Sequence, residues 1–472
     1  MDELEKALSY DVICLFGFFE EDVQSLEEKT LIFFTPDYKC DFLNRVYYDG
    51  LSCDLEQYQA ICEKLVFQSF FYLIHPSLSE SERKMAEKWI SRSQILEWQV
   101  QLAASDYQDF GIKAFQNLCQ MRVRSFDGSS FPLMKKLFHN TPAFICGAGP
   151  SLEGQAAHLK EVQSQGLIFA GGAAIGSLGR LGVPIHIAAG IDPDPCYDKV
   201  LMQNAFEAPF FYQSRFASSL LQSVQGPLFQ VANNPGYPLE SWLQEEDSFN
   251  GGWTVSTFCV AIALHLGCNP IVFVGMDLAY ESFSFDGKDI VFEDPIQGNM
   301  RTQKDWVLAA KWLENKISLH KDRTFYTVSD KGLSIEGVQK ASFEKVKEVA
   351  LSTQVDSEGL VHLLRSFWTP SSMYEEKMSI VKKSLDRSLD CVDALIHLFE
   401  KHYPVDPKEK GSFVLNLIDL QEEIAYQKIL SPIWNVWQYP LYRQFEDPYA
   451  RDVNQMIFFK KVLQEYKVCL CN

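Results

Sequence analysis

The stretch Phe144-Ile-Cys-Gly-Ala-Gly-Pro-Ser-Leu152 constrains the fold more than any other part of the chain, because it reads as strand, glycine turn and helix start. Residues 144–146 are a short apolar run of strand type. Gly147 and Gly149 lack the Cβ atoms that would block a tight turn or hold a ligand off the backbone. Pro150 suits a first helical turn, where its missing N–H costs nothing, and Ser151 adds a hydroxyl beside the free amides there. Such a helix N-terminus attracts anions, so phosphate is the expected ligand. The dinucleotide fingerprint asks for a third glycine where this chain has Leu152. The turn alone therefore leaves two readings, a nucleotide site and a plain tight connection.

Apolar runs at 143–146, 167–170, 185–189, 210–212, 228–231, 271–274 and 324–328 alternate with helical stretches. That pattern predicts an α/β fold with a Rossmann-like, mainly parallel sheet over residues 131–340. Such sheets bind ligands at the carboxyl ends of their strands, and here the polar clusters follow the apolar runs. Residues 1–130 read as a small N-terminal α/β domain, with strands at 12–18, 31–34 and 69–74 and helices at 79–90 and 95–104. No glycine turn or polar cluster marks its strand ends in this reading. Ser125-Phe-Asp-Gly-Ser-Ser130 is the expected linker. Residues 341–472 read as a helical C-terminal region, with long amphipathic patterns at 377–401 and 412–429. Trp434, Trp437 and Tyr439 there are expected to pack rather than to bind a cofactor.

A net charge of −19 over 472 residues argues against a nucleic-acid partner, which would need a basic face. It leaves room for a small phosphorylated ligand in a local positive field. The twelve cysteines are scattered without a C-x-x-C, as expected of buried thiols in a reducing compartment. The acidic start Met1-Asp-Glu-Leu-Glu-Lys has no signal-peptide pattern. The apolar stretch 255–276 is interrupted by His265, Gly267 and Asn269-Pro270, so neither half can cross a bilayer. A cytoplasmic protein with no transmembrane segment is expected.

Four further clusters follow the strands. Gly171-Gly172 leaves space for a ligand or for close helix packing. Asp192-Pro-Asp194 places two carboxylates one residue apart, a candidate magnesium–diphosphate bridge or a helix cap near Tyr197. Gly251-Gly252-Trp-Thr254-Val-Ser256-Thr257 opens a helix with more hydroxyls than a cap needs, which points to a second anion-binding end. Asp277, after Val274-Gly-Met, is placed to reach a ligand at the sheet edge. Asp286-Gly-Lys288 reads as a turn, and Arg301 as a bidentate partner for phosphate ahead of a helix from Gln303. His186, inside a strand, and His265, on an apolar helix, read as core histidines. No nucleophile elbow or Walker lysine occurs.

Together, Gly147-Ala-Gly-Pro-Ser-Leu152, Pro193-Asp-Pro195, Gly251-Gly-Trp-Thr-Val255 and Val274-Gly-Met-Asp-Leu-Ala-Tyr280 stand in the order of a known family. Asp286-Gly-Lys288 and Leu333-Ser-Ile-Glu-Gly337 continue it. Residues 140–340 thus resemble the domain shared by motility accessory factor (Maf) proteins and archaeal 6-hydroxymethylpterin diphosphokinases. The resemblance implies a transferase. In the Maf case a nonulosonic acid moves from its CMP donor to a protein hydroxyl. Gly147, Gly149, Pro150, Ser151, Gly171, Gly172, Gly251, Gly252, Thr254, Ser256 and Arg301 would then hold the donor, and Asp277 would orient a reacting hydroxyl. In the pterin case diphosphate moves from ATP with magnesium on Asp192 and Asp194. A binding or assembly protein that kept the fold without catalysis is the third reading.

Overall fold

The computed structural model describes residues 3–18, 25–26, 28–35, 45–49, 55–121, 131–195, 207–232, 238–244, 249–280, 289–350, 354–367, 373–401, 410–445 and 447–471. The 125–130 linker, the Tyr197 helix start and the Asp286-Gly-Lys288 turn lie outside them. The chain divides into two compact units, one of residues 1–108 with 433–455, the other of 109–432 with 456–472.

The first unit is built on a parallel sheet of β1 (Val12–Phe16), β2 (Thr30–Thr35), β3 (Arg45–Asp49) and β4 (Phe70–Ile74), in the order β3-β2-β1-β4. β3 has no counterpart in the sequence reading. Helices α1 (Glu3–Ala7), α2 (Leu55–Lys64) and the first part of α3 (Glu80–Met121) accompany the strands. The two short helices expected at 79–90 and 95–104 are one continuous 42-residue helix. Gly17, at φ +72°, supplies a glycine turn directly after β1, against the expectation that these strand ends lack one. A Cβ there would strike Leu78. Arg443 donates to the carbonyls of Lys64 and Val66 and Trp437 packs on Phe67, which fastens the 433–455 segment into this unit.

The second unit carries eight parallel strands: β5 (Ala143–Cys146), β6 (Leu167–Gly171), β7 (Ile187–Gly190), β8 (Phe210–Gln213), β9 (Leu228–Val231), β10 (Ile271–Val274), β13 (Phe325–Thr327) and β14 (Gln339–Lys340). Their order is β14-β13-β10-β5-β6-β7-β8-β9. Strand side chains alternate between two buried faces, as in a sheet covered on both sides. One face presents Phe144, Cys146, Ile168, Ala170, Phe210, Val272 and Val274 to α4 (Leu152–Val162), α5 (Ala173–Leu181) and the Phe343 side of α10 (Phe343–Ala350). Fully burying one such aromatic contributes roughly 1.5–3 kcal/mol.

Short helices α6 (Ser218–Leu221) and α7 (Pro238–Gln244) follow β8 and β9. Helix α8 (Val255–His265), almost wholly apolar, lies against β5, β6 and β7. The stretch read as an imitation of a membrane span is therefore α8, the Gly267 turn at φ +85° and β10. Among the described residues no helix is long and apolar enough to cross a membrane. Between β10 and α9 (Lys304–Leu319), an antiparallel hairpin of β11 (Ile290–Asp294) and β12 (Gly298–Thr302) interrupts the alternation.

The remainder is helical: α11 (Ser357–Arg365), α12 (Met373–Lys401), α13 (Lys410–Glu422), α14 (Ser431–Gln444) and α15 (Pro448–Cys471). His186 stands just before β7, not within it. Its Nδ1 accepts the Ile168 amide at 3.0 Å, and burial pushes its pKa down to about 4. Nε2 of His265 meets the Phe131 carbonyl at 2.9 Å, and its ring stacks on Phe131.

Candidate functional site

Strands β5 and β10 are neighbours, yet the chain leaves β5 toward β6 and leaves β10 toward β13. This is a topological switch point, where an open parallel sheet gapes at its carboxyl edge. The Gly147–Ser151 turn and the Gly275–Asp277 turn meet there. Gly147 N–H donates to the Val274 carbonyl at 2.9 Å and Gly149 N–H to the Gly275 carbonyl at 2.8 Å. A Cβ on Gly149 would lie 2.5 Å from Asp277 Oδ2 and 2.7 Å from the Gly275 oxygen; one on Gly147 would strike Gly275 too. Both glycines are thus required by the protein's own crossing turns, whatever ligand lies above.

Asp277 is 3% exposed. Its Oδ2 accepts the Ser151 amide at 2.9 Å, and its Oδ1 accepts the hydroxyls of Ser151 at 2.6 Å and Ser329 at 3.0 Å. Ser151 occupies the N-cap position of α4 without a side-chain bond to its own helix. A carboxylate therefore stands where the sequence suggested a phosphate, at the positive end of α4. The acid read as a catalytic group and the turn read as a phosphate loop satisfy each other. The Asp277 carbonyl accepts the Leu333 amide at 2.9 Å, and Gly332, at φ +99°, is pressed against the Asp277 backbone.

One strand over, Gly171 and Gly172 end β6. The Val255 side chain covers Gly171, so a Cβ there would overlap it. Gly172 is the N-cap of α5, at φ +52° and ψ −130°, with no side-chain cap. Thr254 caps α8 in a reciprocal box: its Oγ1 accepts the Thr257 amide at 3.2 Å, and its amide donates to Thr257 Oγ1 at 3.0 Å. Two of the three hydroxyls that looked surplus are consumed this way, as a capping box requires. The box reaches neither the Val255 and Ser256 amides nor the half-exposed Ser256 hydroxyl. The N-termini of α5 and α8 thus converge at Gly171-Gly172, with Gly171 packed under the Val255 side chain and Gly172 partly exposed. Gly251 and Gly252 form the approach to α8; Gly252, at φ +77°, donates to Asn250 Oδ1, which also accepts from Trp312.

At the end of β7, Asp192 Oδ1 accepts the Asp194 amide at 3.0 Å, a local turn that leaves Asp194 exposed. Asn117 Nδ2 bridges the Pro193 and Arg215 carbonyls, both at 2.9 Å. Among the described residues no three His, Cys, Asp or Glu side chains gather in a metal-binding group. Arg301 lies in β12, just ahead of α9 and its N-cap Gln303 as expected, and its carbonyl accepts the Tyr280 amide at 2.8 Å. The hairpin is braced by buried Asp294, which accepts the amides of Ile296, Gln297 and Ser334. Burial alone would raise this carboxyl, but those donors outweigh it and hold it below the usual carboxylate range.

The sequence reading missed a buried polar group at the end of β8. Gln213 and Ser214 leave the strand there, and Glu240 comes from α7, all within the interior. Burial pushes the Glu240 carboxyl up to about 7, against the neighbouring Ser214 hydroxyl and the Arg215 charge. Ser214 and Glu240 are neighbours, yet Ser214 Oγ and Glu240 Oε2 make no hydrogen bond of normal geometry, and Gln213 Nε2 makes none either. Polar residues directly after an apolar run were the available signal.

Residues 114–283 match the family model described as 6-hydroxymethylpterin diphosphokinase MptE-like. None of the curated proteins matches the sequence. Among solved structures, a Maf glycosyltransferase from Magnetospirillum magneticum AMB-1 is similar, at 14% identity and a TM-score of 0.49, over 98% of this chain and 78% of that one.

Proposed function

We propose that this protein is a transferase taking a nucleotide-activated donor, a CMP-activated nonulosonic acid, at the carboxyl edge of its eight-stranded sheet, a reading supported by the match of residues 114–283 to the MptE-like family model. The observation that carries the reading is the convergence of the α5 and α8 N-termini on Gly171-Gly172. Helix ends with unused amides favour a phosphate, and Ser256 adds a hydroxyl donor. The α4 end, with Asp277 already seated on it, is the floor beneath the nucleotide rather than its phosphate clamp. In glycosyl transfer the acceptor oxygen bonds to the sugar's anomeric carbon as that carbon's bond to the donor phosphate breaks. CMP leaves with the electron pair, so charge builds on its phosphate, and the hydroxyl proton passes to water. Fixed dipoles aimed at that phosphate lower the barrier. Asp277, with both oxygens engaged, acts as a positioning residue, and the acceptor is a protein hydroxyl.

Ser256→Asp tests the reading. An acid in the first turn of α8 suits the helix dipole, so the variant folds with unchanged or slightly raised Tm. The same charge repels a phosphate, so calorimetry should find CMP affinity reduced at least about tenfold, one factor of ten corresponding to about 1.4 kcal/mol. Wild-type CMP affinity in the folded variant would overturn the assignment.

The name of the family model favours a second reading, diphosphate transfer from ATP to a pterin alcohol. Asp192 and Asp194 fit magnesium only as a partial ligand set leaning on substrate phosphates, a common arrangement for this ion. When bound, the metal would neutralise charge on the transferring group. Nucleotide binding that collapses with a chelator and returns with magnesium favours this reading; CMP binding indifferent to chelator favours the first. Binding without turnover of any donor leaves a binding protein of the same fold.

A further inference from the structure

Glu240, Ser214 and Gln213 are each less than about a twentieth exposed, and each keeps a polar atom with no hydrogen-bond partner. Native interiors rarely leave such atoms unpaired, because each forfeits its hydration for nothing. Here Ser214, just past β8, neighbours Glu240 of α7, and Gln213 directly precedes Ser214 in the chain. The place matters as well. They follow the carboxyl end of β8, on the edge where parallel sheets take ligands. Asn117 ties the Arg215 carbonyl to that of Pro193, making this turn continuous with the end of β7. Strands in a sheet lie about 4.8 Å apart, so β8 stands roughly 10 Å from the Gly171-Gly172 end of β6. That span is within reach of a nine-carbon chain whose phosphate sits at β6.

The chemistry of the three groups selects the ligand. An amide NH2 donates, a carboxyl oxygen accepts, and a serine hydroxyl does either. An anion would meet the Glu240 carboxyl, and a cation would meet Arg215 nearby. Neutral groups that donate and accept at once fit both constraints, and sugar hydroxyls are such groups. We propose that Gln213, Ser214 and Glu240 form a subsite for the hydroxyl-bearing part of the transferred sugar, separate from the phosphate site at α5 and α8. The subsite rests on the donor reading above.

Calorimetry with CMP and with CMP-N-acetylneuraminic acid, on wild type, Ser214→Ala and Glu240→Gln, tests it. The wild type should bind the whole donor more tightly than CMP. Each variant should lose about tenfold or more of whole-donor affinity while binding CMP as before. Ser214→Ala should also keep or raise Tm, because it removes a buried unpartnered hydroxyl, so weaker binding cannot be ascribed to misfolding. Unchanged whole-donor affinity in both folded variants, or equal wild-type affinity for donor and CMP, overturns the subsite and leaves the nucleotide reading standing. A wild type that binds neither compound overturns both.

Discussion

Asp277→Asn is the most informative single substitution in this protein. The change keeps size and shape, and it keeps one carbonyl oxygen for the hydroxyls of Ser151 and Ser329. It puts an NH2 where Oδ2 now receives the Ser151 amide. Two donors then face each other in a site 3% exposed. Losing a hydrogen bond to a charged group costs about 1.5–3 kcal/mol, and a buried N–H left unsatisfied costs about 1–3 more. The expected loss is about 3–5 kcal/mol, a large share of the roughly 5–15 kcal/mol that holds a typical domain. Urea unfolding followed by tryptophan fluorescence measures it as a lower midpoint at unchanged slope. Ser329→Ala removes one neutral donor and should cost about 1 kcal/mol. Combined with Asp277→Asn, the two should fall short of additivity by only a fraction of that, because Ser329 keeps its acceptor oxygen in the variant and loses only the charge on it. An Asp277→Asn protein that unfolds within about 1 kcal/mol of wild type would refute the idea that this carboxylate joins the two turns. Turnover of the variant is then to be scored per folded molecule.

Gly149→Ala should cost about 1–3 kcal/mol through overpacking against Asp277 and Gly275. Gly154→Ala, inside the helix α4 that follows this turn, meets nothing within 4 Å and should stabilise by about 0.5–1 kcal/mol, as thermal melts of the pair would reveal. His186 titrates near 4 when folded against 6.5 when free, so the unfolded chain takes the proton first. Stability from this group is intact above pH 6.5 and falls by about 3 kcal/mol on the way to pH 4; His186→Asn should flatten that part of the urea-midpoint profile. An unchanged acid limb in the variant would show that other groups set it.

The parallel sheet was legible because fully buried strands read as uninterrupted apolar runs between helices, and 143–146, 228–231 and 271–274 match the observed strands residue for residue. β3, Arg45-Val-Tyr-Tyr-Asp49, escaped because charges at both ends break up its apolar run. The β11–β12 hairpin escaped because its burial alternates only weakly and one strand reads Gly-Asn-Met-Arg-Thr. The site was legible as a set of turns but not as a set of partners. Nothing in the spacing says that Asp277 reaches back to Ser151, or that Ser329 joins them, since the three are brought together only by the β5·β10·β13 pairing. The hydroxyl excess before α8 was a genuine signal with two causes, a capping box and Ser256, which sequence alone cannot separate.

The placement of β10 also sets an order of events during synthesis. Strands β5 to β9 emerge first, and each can pair with the one before it as it appears. β5 then keeps one side bare, with a row of unmatched N–H and C=O groups open to any passing strand. That side stays open while the intervening turns and α8 are made, until Ile271–Val274 arrives to cover it. Long-range parallel pairing of this kind is slow because the loop must close before any contact repays it. Through that interval the edge is open to aggregation, and the Asp277–Ser151 bond joins the two turns once β10 has covered it.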